Sequence, residues 1–176
     1  YLGLIENVGL FPHGIKEFDN KKSLNQFPKI NFFSNMYKLK IASYGFCLPN
    51  KGFKELLLAV KLLKDQNMSI TLDLFTAIYS KDYSYYFEEL NELRSSLGLE
   101  ANTTLFSDYM SEKDSLMSLF CSDLIVFPYQ SSNESSSAAV RQALAVNKPI
   151  MVTKLKIFQD IDQFVYQFSG FSPEEI

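Results

Sequence analysis

Leu124-Ile-Val-Phe-Pro-Tyr129, followed by Ser131-Ser-Asn-Glu-Ser-Ser-Ser-Ala-Ala-Val-Arg-Gln-Ala-Leu-Ala-Val-Asn-Lys-Pro-Ile-Met-Val-Thr153, decides how this chain folds. A short apolar run leads into a polar stretch holding one carboxylate, Glu134, among serines. A helical pattern with Val140 and Leu144 comes next, then a second apolar run, Ile150-Met-Val152. Strand, loop, helix and strand make a βαβ unit, and the loop at the first strand's carboxyl end is where such units hold ligands. Ser135, Ser136 and Ser137 at a helix start offer side-chain caps and free backbone N–H groups, which suits an anion such as a phosphate. The same three serines also make sense as helix caps and nothing more.

The alternation of strand and helix extends upstream, without an internal repeat. Leu39-Lys-Ile-Ala-Ser-Tyr-Gly45 has the alternation of a strand and ends in glycine. Phe53, Leu56, Leu57, Val60 and Leu63 then recur at helical steps, with Lys54, Glu55, Lys61 and Lys64 on the other face. Ile70–Phe75 is the next strand. A helix carrying Phe87, Leu90, Leu93 and Leu97 follows, with Gly98 placed to end it. Thr103–Ser107 reads as a third central strand, and Ser111 with Asp114 as a helix start of the capping-box kind. Val165–Phe168 adds a final strand. Strands alternating with helices of this length imply an α/β domain of Rossmann-like three-layer αβα form, with a parallel sheet covered on both faces. Ahead of it, residues 1–38 read as a short strand (Val8–Pro12), a turn at His13-Gly14 and a surface loop.

At 176 residues the chain is long enough for one well-buried domain, and two would be cramped. A net charge of −3 gives no electrostatic case for a nucleic-acid partner. Cys47 and Cys121 lack metal-ligand spacing and read as buried reduced thiols of a cytoplasmic protein. One histidine, His13, leaves no His-rich metal site. No run approaches a membrane span, and no signal peptide opens the chain. The start lacks Met, and Ser172-Pro-Glu-Glu-Ile176 reads as the first turn of an unfinished helix, so a fragment of a longer protein is expected.

The turn after the first central strand is Gly45-Phe-Cys-Leu-Pro-Asn-Lys51-Gly52. It has neither the dinucleotide fingerprint nor the Walker spacing. It does place a glycine where a ligand can approach the backbone, then Lys51-Gly52 at a helix entrance. A lysine there can neutralise a phosphate; it can equally be a solvated turn residue.

Taken together, Gly45 to Gly52 with the helix after it, Phe127-Pro-Tyr129 through Glu134 to Ala143-Leu-Ala145, Lys148-Pro149, Thr153, and the opening Phe11-Pro-His-Gly-Ile15 resemble the family 4 (group 1) glycosyltransferases of GT-B architecture. The motifs occur in the family's order over nearly the whole chain. The resemblance implies that residues 1–176 are the C-terminal, nucleotide-sugar-binding half of such an enzyme, without its N-terminal acceptor domain. It implies a retaining, metal-independent hexosyltransferase. Its donor would be a nucleotide-diphosphate sugar, as substrate and with no cofactor, and its acceptor a glycan or a lipid-linked glycan reached through the other domain. A place in polysaccharide biosynthesis follows, in the cytoplasm at the inner face of a membrane, with peripheral association of the full-length protein.

The same resemblance makes Glu134 the glutamate beside the reacting anomeric carbon and Lys51 the diphosphate lysine, with Gly45 and Gly52 framing its loop. Ser135, Ser136 and Ser137 would present N–H groups to phosphate, and Tyr109 and Met110 would lie near the base. Two positions depart from the family. Gln142 stands where a ribose-binding glutamate belongs, and its amide accepts one hydrogen bond and donates another. Phe46 stands where an arginine belongs and removes a positive charge; either Arg141, Lys154 or the other half compensates, or affinity for diphosphate is lower.

Blander roles stand beside these: Glu134 as a solvated loop carboxylate, Gln142 as an exposed helix residue, His13 as a turn residue, and Tyr83, Tyr85 and Tyr86 as cover for a helix base. Asp108 and Asp123 do not form a DxD pair for a metal. Alternative functions are half of a sugar-nucleotide epimerase, or a non-catalytic regulatory domain that kept the fold.

Overall fold

In a computed structural model, residues 14, 15 and 38–176 are described. The expected lead-in strand at Val8–Pro12, His13 and all but the last residue of the loop at 16–38 lie outside the described residues. Among the described residues six strands form one sheet in the order β3-β2-β1-β4-β5-β6, every pair parallel. They are β1 Leu39–Phe46, β2 Ile70–Ala77, β3 Thr103–Phe106, β4 Leu124–Phe127, β5 Ile150–Val152 and β6 Tyr166–Gln167. Between them run α1 Phe53–Asp65, α2 Ser84–Ser96, α3 Glu112–Phe120 and α4 Ala138–Leu144, then a 3-10 segment, Lys156–Phe164. The expected Rossmann-like fold is thus observed.

Strand alternation explains why both faces are covered. Ile41 and Val126 turn to one side, where Phe53, Leu56, Leu57 and Val60 of α1 meet Tyr86 and Leu90 of α2. Ala42, Ile125 and Phe127 turn to the other, against Leu116 and Leu119 of α3, Val140 and Ala143 of α4, and Ile157, Phe158 and Ile161 of the 3-10 segment. The apolar stripe read from α1 is the buried one. Each of its large side chains contributes about 1.5–3 kcal/mol by leaving water.

Helix ends follow the local chemistry. The Ser111 hydroxyl accepts from the Asp114 N–H at 3.2 Å, which is the expected cap of α3. Gly98, in the left-handed region at φ 64°, ends α2 while its N–H donates to Ser95 O and that of Leu99 to Arg94 O, both at 3.0 Å.

Two expectations change. Thr103–Phe106 is not central but lies at the sheet's edge, because order along the chain runs outward from β1 to β3 before crossing back to β4. Cys47 is buried as expected, but Cys121 is exposed at the end of α3. Burial pushes the Cys47 thiol up to about 11, although its hydrogen bond with Thr76 works the other way.

Crossing direction reverses between β1 and β4, and a doubly wound sheet opens a crevice at the carboxyl ends of such strands. Both quoted loops, 45–52 and 128–137, begin there.

Candidate functional site

The two loops are joined before any side chain enters the site. Pro49–Lys51 forms a 3-10 turn that Gly52 ends at φ 75°. A Cβ on Gly52 would lie 1.8 Å from the carbonyl oxygen of Pro128, so only glycine allows this approach. Beside it the Gln130 N–H donates to Asn50 O at 2.9 Å, and the Asn50 side-chain amide donates to Ser131 O at 3.0 Å. The Thr153 hydroxyl, from the strand end beyond β5, donates to Tyr129 O at 2.6 Å.

This frame brings Lys51 over Tyr129. The Lys51 ammonium lies 4.0 Å from the centre of the Tyr129 ring and 3.9 Å from Glu134 Oε2. Lys51 is buried with its side chain 7% exposed, whereas that of Glu134 is 62% exposed. Burial holds the Lys51 pKa below its ordinary value, and the Glu134 charge offsets part of that fall. Tyr129 is itself buried, packed on Phe127 and Phe158, with its hydroxyl 3.3 Å from Ser137 Oγ. Burial pushes its phenol up to about 12, so it stays neutral. Ser137 is the N-cap of α4 and accepts from Val140 N–H at 3.4 Å.

These groups open into one cavity of about 370 Å³. Of the residues singled out in the sequence, Gly45, Phe46, Lys51, Tyr109, Met110, Glu134, Ser136, Ser137 and Gln142 line it. Gly52 and Ser135 do not. Gly52 holds the frame behind Lys51, and α4 starts at Ala138, so Ser137 alone of the three serines caps it. Gln142 is tethered: its amide nitrogen donates to Ser115 Oγ and, at 3.4 Å, to Glu112 O, while nothing among the described residues bonds its oxygen. Arg141 is buried in an ion pair with Asp160 and borders a neighbouring cavity, and Lys154 is exposed. Neither lines the main cavity to replace a missing charge. Tyr85 is exposed and Tyr86 buried.

Sequence reasoning missed Tyr129, Tyr44, Phe75 and Ala77 as lining, and Asp108 in that role. Tyr129 and Tyr44 had a usable signal, since both sit at the carboxyl ends of strands that flank the reversal in sheet order. Among the described residues no cluster of three or more His, Cys, Asp or Glu is placed to hold a metal. No helix among them is long and apolar enough to cross a membrane.

The sequence profile of the glycosyl transferases of group 1 matches residues 26–162, most of the chain and the whole of this site. The chain belongs to the group 1 glycosyltransferases. Solved structures agree in fold. A glycosyltransferase from Rickettsia africae superposes at TM-score 0.67 with 17% identity, over 81% of this chain and 36% of that one. An Anabaena protein solved in complex with UDP and glucose gives TM-score 0.67 and 17% identity, over 78% and 36%. The C-terminal domain of a group 1 glycosyl transferase from Francisella tularensis gives 0.61 and 19%, over 79% and 71%. This group 1 chain therefore spans about a third of the length of the first two. No curated protein sequence matches it at a significant level.

Proposed function

We propose that this site binds a nucleotide-diphosphate sugar and serves hexosyl transfer, retaining and metal-independent, to a glycan or lipid-linked acceptor. One observation carries the reading: the Lys51 ammonium and the Glu134 carboxylate, from different loops, face a single cavity at the sheet's carboxyl edge. UDP and glucose in the Anabaena structure support a donor of this class. Lys51 would take the diphosphate, with the Ser136 and Ser137 hydroxyls beside it. Charge growing on the leaving diphosphate would meet donors already in place, which is where preset electrostatics lower a barrier. Glu134, its side chain 62% exposed, would leave Lys51 and turn to the hexose hydroxyls. A second domain closing over the cavity would supply the acceptor and exclude water.

Calorimetry of the intact protein with UDP, GDP and ADP is expected to show binding of at least one. Glu134→Ala is expected to abolish transfer while the nucleotide still binds; unaltered turnover in that variant would refute its role. The tether of Gln142 to α3 favours a second reading, a non-catalytic domain that kept the fold. Failure of all three nucleotides to bind would support it.

A further inference from the structure

The charge that the described residues bring to the cavity is scant for a diphosphate. Among them the charged lining residues are Lys51, Asp108 and Glu134, one cation against two carboxylates. Rings are abundant by contrast: Tyr44, Phe46, Phe75, Tyr109 and Tyr129 all line it. Three are already committed or recessed. Tyr129 lies under Lys51, Phe75 is stacked on Phe106 at 4.9 Å, and Tyr44 is half-buried. Phe46 is different. It ends β1 with 39% of its surface exposed, and Tyr79, 64% exposed, meets it edge-on with centroids 5.1 Å apart and planes at 74°. An edge-on neighbour fixes the plane of a ring without covering it fully. Exposing two packed aromatic side chains at the mouth of a cavity costs burial that the fold forgoes.

Sheet order says which part of a ligand meets them. Phe46 pairs in register with Ala77 of β2, two residues before Tyr79, and Tyr109 follows β3. Those rings therefore lie on the β2 and β3 side of Lys51, while Glu134, Ser136 and Ser137 follow β4 on the other. A ligand anchored on Lys51 by phosphate has a hydroxyl-rich end suited to Glu134 and a flat aromatic end suited to the rings.

We propose that Phe46, braced by Tyr79, is a stacking wall for the nucleobase, and that this site grips its donor by the nucleoside more than by the second phosphate. The inference rests on the reading of the cavity as a nucleotide-sugar site. Stacking of a base on an aromatic side chain is worth roughly fivefold to over a hundredfold in affinity, comparable to a charged hydrogen bond.

The test is calorimetry of the intact protein with inorganic pyrophosphate, with UDP, GDP and ADP, and with the matching monophosphates. Wild type is expected to bind the best nucleoside mono- and diphosphate within about threefold of each other. Phe46→Ala is expected to weaken both by about tenfold and to leave pyrophosphate unchanged. Phe46→Arg is expected to reverse the order, strengthening pyrophosphate while weakening the monophosphate. Tyr79→Ala, at an exposed position, is expected to repeat the Phe46→Ala pattern more mildly, which guards against a folding defect at Phe46. A diphosphate bound 30-fold or more tighter than its monophosphate, or equal losses for all probes in Phe46→Ala, would overturn the stacking role alone. Wild type that binds no nucleotide would overturn the donor-site reading with it.

Discussion

The Lys51 ammonium stands 3.9 Å from Glu134 Oε2, too long for a hydrogen bond and close enough to be held by charge. A buried cation is thus paired with a carboxylate that remains in water. Such a carboxylate can be displaced by a better anion, because little of its own solvation was lost.

Replacing Glu134 by glutamine removes that competitor. Glu134→Gln is expected to raise affinity for nucleoside diphosphates by about two- to fivefold, the range of an exposed ion pair. Transfer is expected to be lost all the same. Paired calorimetry and turnover assays on the intact protein check both halves, and weaker nucleotide binding would contradict the displacement.

Lys51 is expected to cost stability while it serves binding. Its pKa lies below the ordinary 10.5 because burial disfavours the charge. The unfolded chain therefore holds the proton more readily, and the penalty is in force at all pH values below the folded pKa. It is relieved only as pH rises from that value toward 10.5. Lys51→Met is expected to raise the melting temperature at pH 7 and to weaken nucleoside diphosphates by at least tenfold, the scale of one charged hydrogen bond. Wild-type binding is expected to fall on the alkaline side at a lower pH than an exposed lysine would dictate. Glu134→Gln is expected to move that fall lower still, because Glu134 is the group that raises Lys51.

Tyr129 has two separable contacts. Tyr129→Phe keeps the ring under Lys51 and loses only the link to Ser137, at a cost of about 1 kcal/mol in stability. Its nucleotide affinity is expected to stay within about twofold. Tyr129→Leu removes the ring, and the loss of the cation–π contact is expected to weaken binding by about tenfold. Equal behaviour of the two variants in calorimetry would show that the ring does nothing for Lys51.

Gly52→Ala combines a left-handed backbone with a Cβ driven into the Pro128 carbonyl. The first alone costs about 1–2 kcal/mol, and backbone displacement adds to it. A destabilisation of ~2 kcal/mol or more is expected in urea unfolding. Nucleotide binding is expected to fall too, although Gly52 does not line the cavity.

The parts of the fold that local chemistry controls were legible in the sequence. Alternation gave away β1, the stripe from Phe53 to Leu63 gave α1, and Ser111 with Asp114 gave the start of α3. What stayed hidden depends on neighbours in space. Thr103–Phe106 carries no mark of its place at the edge, since strand order is a property of the crossovers. Gln142 looks like a surface residue until α3 brings Ser115 within reach. Arg141 offers a spare charge by type, but Asp160 has already taken it. The resemblance already put Glu134 and Lys51 at one donor site, but the contact that joins their loops, Gly52 against Pro128, exists only in space.

That approach also limits how such a site can be rebuilt. Asn50, Gly52, Pro128 and Gln130 interlock through main-chain atoms, so each loop is the mould in which the other is cast. A chimera that imports residues 128–137 from a relative with different sugar preference would inherit the wrong counterpart unless 45–52 travels with it. The two loops are portable only as a pair.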